Sequence, residues 1–174
     1  MPTLHLGVMD IPYAPIQTQR QTPKPRKANA RPVATAKRGS PSNMTTGQVA
    51  NILEAKYHIM EIYAHLHEAF ITDEISTSLV GHLENMLKYQ LLGDQFSGDP
   101  YMRAMSEIQA DFKKFLSLRE MDGLGYRGIP TKASLMGVSH RFKDAMNRHS
   151  GRGSRPSFID TGQYQASFNA WVTN

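Results

Sequence analysis

The chain has no cysteine, which excludes disulfides and thiolate-held zinc and leaves the redox compartment unreadable. It has a single tryptophan, at position 171. No apolar run approaches the roughly 18 to 20 residues of a membrane-crossing helix. The opening MPTLHLGVMDIPYAPIQ lacks the charged start and long apolar core of a signal peptide. A soluble protein, working inside the producing cell or built into an assembly there, is expected. Acidic residues are scarce at the start. Residues 1–45 carry Arg20, Lys24, Arg26, Lys27, Arg31, Lys37 and Arg38 against Asp10 alone, while the remainder holds 13 basic and 14 acidic side chains. The net +5 therefore resides in the first quarter of the chain, and a basic arm on a near-neutral body reads as an interaction tail.

Seven of the ten prolines fall in that same stretch, at positions 2, 12, 15, 23, 25, 32 and 41. Proline lacks an N–H donor and fixes φ, so no helix or interior strand can run through them. Residues 1–44 are read as an extended arm. Within it Leu4, Leu6 and Val8 alternate, as a short strand added to another chain's sheet edge would. The basic run from Arg20 to Arg38 is read first as a tether along acidic surfaces of partner proteins. Phosphate-backbone contact is the second reading. Tyr13 is the arm's only aromatic residue, so base stacking has no platform there.

Residues 45–149 carry helical periodicity. Over Thr45–Ile71 the residues Val49, Ile52, Leu53, Ile59, Met60, Tyr63, Leu66 and Phe70 mark one face, with Glu54, His58, Glu61, His65 and Glu68 on a polar line. Asn43, Thr45 or Thr46 can cap its start. A second helix is expected after Thr72-Asp73-Glu74, folded back as a hairpin, with Ile75, Leu79, Leu83, Met86, Leu87 and Leu91 buried and Gly93 as stop. Asp99 and Pro100 open a third, with Met102, Met105, Ile108, Phe112, Phe115 and Leu116 inward. DGLGYRGIP reads as a flexible joint before a shorter helix over 131–149, capped by Thr131, with Leu135, Val138, Phe142, Ala145 and Met146 apolar. The fold class expected is mainly α: a small helical bundle, the long arm before it and a short interaction segment, 150–174, after it.

The histidines and glutamates of the polar line do not fall at the Glu-x-x-His offset of di-iron bundles, and His65 and His67 point to different faces. No metal or other cofactor is expected. GLGYRG matches no phosphate-loop pattern. Phe158-Ile159-Asp160-Thr161-Gly162 looks like the triplet of aspartic proteases, but Gln163 stands where a small residue is needed and only twelve residues follow Gly162. Asp160 or Thr161 reads instead as a local cap, and no enzyme activity is expected. The end, Tyr164 to Val172, alternates like a strand except at Trp171, while Tyr164, Phe168 and Trp171 also share a helical face. Helix or strand stays open.

The same end, RPSFIDTGQYQASFNAWV from Arg155 and Pro156 onward, resembles a pattern in neck and tail-completion proteins of long-tailed phages. There an Asp-Thr-Gly precedes a segment with leucine or tyrosine and a Ser-Ile or Ser-Phe pair; here these are Asp160-Thr161-Gly162, Tyr164 and Ser167-Phe168. The wider composite over 44–174 is similar to virion structural proteins of contractile-tailed bacteriophages. That resemblance implies a non-catalytic component of the virion, in multiple copies as a ring, with tail tube, sheath, baseplate or neck subunits as partners. It leaves baseplate against neck open, and it leaves a DNA-associated protein with a basic arm as the reading of a different class.

Overall fold

The computed structural model describes residues 2–13, 44–137, 154–160 and 162–173. The basic residues Arg20, Lys24, Arg26, Lys27, Arg31, Lys37 and Arg38, the cap residue Thr161, and the 138–149 part of the last helix lie outside the described residues.

Met105, Ile108, Phe112, Phe115 and Leu116 recur at three- and four-residue steps, and all five are buried on one side of α4 (Met102–Ser117). Around that stripe the other elements assemble. Thr45 caps α1 (Thr46–Tyr57) in a reciprocal box: its hydroxyl accepts from Gln48 N–H, and the Gln48 side chain accepts from Thr45 N–H at 3.2 Å. α2 (Ile59–Leu66) buries Ile59 and Tyr63 completely. α3 (Glu68–Leu91) runs antiparallel to α4. His67, just before it, sits 2.6 Å from Asp111, and further along the Ser78 hydroxyl donates to the Pro100 carbonyl at 2.7 Å. Three short helices follow: α5 (Glu120–Gly123), α6 (Lys132–Leu135) and α7 (Gln163–Ser167).

The remaining element is a two-stranded antiparallel sheet of β1 (Thr3–Val8) and β2 (Phe168–Thr173), in register from Thr3↔Thr173 to Val8↔Phe168. Leu4, Leu6, Val8 and Val172 lean on the core, to which Phe168 and Ala170 belong. His5, Gly7 and Trp171 lie on the other face. The molecule is thus mainly helical with one small sheet.

Several expectations change. The long first helix is broken at His58, which adopts φ 50°, ψ 45°, a left-handed conformation that histidine tolerates better than branched residues. The Glu54 carboxylate stabilises the break by accepting the N–H groups of Met60 and Glu61 at 2.9 and 3.1 Å, capping α2 in place of its own N-cap side chain. No hairpin forms at Thr72-Asp73-Glu74. The second interruption falls earlier, at His67, and α3 continues through Thr72-Asp73-Glu74. Ile52, Leu66, Leu83, Met86, Leu87, Leu91 and Met102 are exposed, contrary to the buried-face reading. α4 begins level with Ser78, and past that point nothing in α4 can cover α3. Thr131 does cap α6, accepting from Ser134 N–H at 3.2 Å, but α6 stops after one turn at Gly137 (φ 61°) and leaves Leu135 exposed.

These packing differences give a contrast testable by chemical denaturation. Phe112→Ala is expected to lose about 3–5 kcal/mol, the range for deleting a buried ring. Ile52→Gln, on the exposed side of α1, is expected to stay within about 0.5 kcal/mol of the parent.

Candidate functional site

Leu4, Leu6 and Val8 form a strand as expected, and within the chain it pairs with β2. Beyond Val8 the chain is latched to the start of α1. The buried Thr46 hydroxyl donates to the Met9 carbonyl at 2.5 Å and accepts from Ile11 N–H at 2.7 Å. The Asp10 carboxylate accepts from Gly47 N–H at 2.9 Å. Hydrogen bonds from Thr45 first, and then from the Gly47 backbone, hold Asp10 below its ordinary pKa. A Cβ on Gly47 would meet that carboxylate at 2.8 Å, so a larger residue there would push Asp10 from its present position. Pro12 bridges to Thr45, and Tyr13 N–H reaches the Met44 carbonyl at 3.2 Å. Tyr13 and Met44, the residues on either side of segment 14–43, are therefore neighbours in space.

The C-terminal motif lines the same structure. Arg155 pairs with Asp160 (Nη1–Oδ1 3.3 Å) and donates to the Ile159 carbonyl beside it. Pro156 is half-buried next to buried Ser157, whose hydroxyl accepts from Thr131 N–H at 3.1 Å. Phe158, at φ 67°, packs its ring on Tyr57 with centroids 5.0 Å apart. The N-cap of α7 is Gly162 (φ 76°), which has no side chain to cap with. Tyr164 and Phe168 are core residues, and burial raises the Tyr164 phenol well above its usual pKa. Both readings of this end hold in succession: residues 163–167 are helix and 168–173 are strand. Trp171, which breaks the alternation, lies half-exposed on the outer face and stacks on His5 at 5.4 Å. Gly7 makes room for it, since a Cβ there would meet the indole at 2.9 Å.

A polar chain that spacing alone did not reveal runs through the aromatic core. The Tyr63 hydroxyl lies 3.1 Å from both the Ile108 carbonyl and the Asp111 carboxylate. Asp111 faces His67 Nδ1 at 2.6 Å, and His67 Nε2 faces Glu120 at 3.3 Å. Tyr63 is fully buried, and burial with the nearby Asp111 charge keeps its phenol protonated. Both imidazole nitrogens thus face carboxylates, Asp111 on one side and Glu120 on the other. The arrangement joins the α2–α3 junction to α4 and α5. The four partners lie 4 to 57 positions apart in the sequence, so no local pattern announces them.

Glu54, His58 and Glu61 form the one grouping, among the described residues, whose donor atoms lie close enough for a cation, within 4.8 Å. Glu54 is committed to capping α2, and His58 Nδ1 to Glu61 at 2.9 Å, with both of the latter side chains largely solvated. The grouping is explained as the device that turns the chain at His58. Beside it, Lys56, His65, Tyr126 and Arg127 line a shallow cavity of about 510 Å³. No described helix is long and apolar enough to cross a membrane. No protein-family model, curated protein or solved structure matches the chain.

Asp111→Ala removes the shared acceptor of Tyr63 and His67 and is expected to cost about 1.5–3 kcal/mol in urea unfolding. The Asp10 latch is expected to be acid-sensitive. Its folded pKa is depressed, so its stabilisation is present above the unfolded value and lost as pH falls through the folded one. Asp10→Asn should flatten that acid part of a thermal-melting pH series, and an unchanged acid limb would contradict the latch.

Proposed function

We propose that the protein is a non-catalytic structural component of a contractile phage tail, a connector whose basic segment tethers neighbouring subunits. The observation that carries this reading is the latch. Segment 14–43 carries seven basic side chains and no acidic one, and the residues on both sides of it are fixed beside α1 by Thr46, Asp10 and the Tyr13–Met44 hydrogen bond. A basic segment held at two points presents charge to a neighbour's acidic surface while losing less freedom on binding than a free tail would. The Asp160-Thr161-Gly162 motif, with Tyr164 and Phe168 in the core, supports the resemblance to virion structural proteins. The partners proposed are tail tube, sheath, baseplate or neck subunits, arranged as a multi-copy ring in the virion. A neck or tail-completion position is the nearest alternative. A DNA-contacting role for the same segment is the reading that its charge also favours.

Because Tyr13 and Met44 adjoin, residues 14–43 can be replaced by a two-glycine bridge without pulling β1 from the sheet. The bridged protein is expected to melt within a few degrees of the parent yet fail to enter particles, measured as copy number by quantitative mass spectrometry of purified virions. Partner binding by the parent should weaken with salt and persist after nuclease treatment. Normal incorporation of the bridged protein would overturn the tether. A steep linear fall of log K for DNA with log salt, confined to the parent, would place the segment on nucleic acid instead.

A further inference from the structure

Beyond Ser78, α3 projects past the start of α4, and its two sides differ. His82 and Tyr89, seven residues apart on one face, both contact Phe96 of the returning loop, with ring centroids 5.1 and 5.2 Å away. Roughly 150° around the helix, at 100° per residue, lies a stripe of Val80, Leu83, Leu87 and Leu91. Leu87 is 58% exposed and Leu91 88%. The stripe thus faces away from the described residues of its own chain over about 17 Å. Apolar residues at 3-, 4- and 4-residue steps, sustained along a solvated helix, form a seam that pairs with another helix.

The chain's own remaining segments do not supply that helix. Segment 14–43 has only Ile16 and Val33 as large apolar residues. Segment 138–153 is bounded on both sides by residues beside α6, where Arg155 N–H binds the Ser134 carbonyl at 3.0 Å. That is the α5 end of α4, since Ser157 N–H reaches Asp122. From there the 16-residue α4 and the further rise to Leu87 amount to about 37 Å, against an out-and-back reach of about 27 Å for sixteen residues.

The charges beside the seam select a second copy and its direction. Glu84 and Lys88 lie on one flank, four residues apart, while Met86 and Gln90 lie on the other. In an antiparallel two-fold pair each flank meets its own equivalent, so Glu84 of one copy meets Lys88 of the other, twice. In a parallel pair the charged flank would meet Met86 and Gln90. We infer that two copies of this chain associate through the distal halves of α3 as an antiparallel helix pair. Centred near Asn85 and Met86, the pair sets Val80 beside Leu91, and Leu83 within one residue of Leu87, of the other copy. The apolar seam drives the association, and the charge pairs set its direction. The pairing stands independently of the tail reading, because it rests on none of segment 14–43.

Sedimentation velocity of the full chain, from low to high micromolar, should show a monomer–dimer equilibrium. Leu83→Asp with Leu87→Asp should weaken it at least about tenfold, with far-UV circular dichroism and Trp171 fluorescence unchanged, since both residues lie outside the core. Glu84→Lys and Lys88→Glu should each weaken it about threefold, and the two together should restore it. In this cysteine-free chain, Val80→Cys with Leu91→Cys should oxidise to a covalent dimer, whereas Val80→Cys alone should not. A monomer at every concentration, or a dimer indifferent to Leu83 and Leu87, overturns the proposal. So does rapid cross-linking of Val80→Cys alone, which would mean a parallel pair.

Discussion

Three rings hold this structure together. Phe112 of α4 and Phe168 of β2 stack with centroids 3.8 Å apart, and Tyr63 of α2 meets the edge of Phe112 at 5.0 Å. Each ring comes from a different part of the chain, and each is almost wholly removed from water. Aromatic side chains bring the largest apolar areas available to a core of this size. Every other element can be described by how it reaches the cluster. β1 reaches it through β2, α1 through α2, and α3 through the His67 junction. With no disulfide to assist, this burial and the polar chain threaded through it must offset the entropy of ordering the described residues.

The polar chain explains why the α2–α3 junction stays fixed. Tyr63, Asp111, His67 and Glu120 place hydrogen-bonding groups beside apolar rings, where unpaired groups would be costly. Satisfied in sequence, they fix the azimuth of α2 against α4 more sharply than apolar contacts can. The break at His67 then carries α3 along α4 with its far half free.

What the residues disclosed beforehand, and what they withheld, follows from the range of the forces involved. The α4 stripe was legible because helical periodicity is local and Phe112, Phe115 and Leu116 leave little ambiguity. The alternation of Leu4, Leu6 and Val8 disclosed a strand, but its mate lies more than 160 positions away at Phe168–Thr173, beyond any local signal. The His58 break was hidden because no glycine or proline marks it; the cause is Glu54 reaching across to cap α2. Thr72-Asp73-Glu74 looked like a helix start, yet capping groups act only where packing leaves N–H groups free. Leu83, Leu87 and Leu91 were recognisable as a seam, but periodicity says that a face wants cover, not what covers it. At the candidate site, Tyr164 and Phe168 were legible as apolar anchors. The Thr46 and Asp10 latch was not, since it depends on residues 9–11 folding against 45–47.

The pairing of β1 with β2 also sets a timetable. During synthesis Leu4, Leu6 and Val8 precede the strand they pair with by about 160 residues, roughly 8 to 32 s at ordinary translation rates. Until then Phe112 lacks its stacking partner and the helices hold an open core. A nascent chain interrupted anywhere before Phe168 therefore keeps the face of Phe112 uncovered, so that closure of the aromatic core waits on Phe168–Thr173 however early the helices have formed.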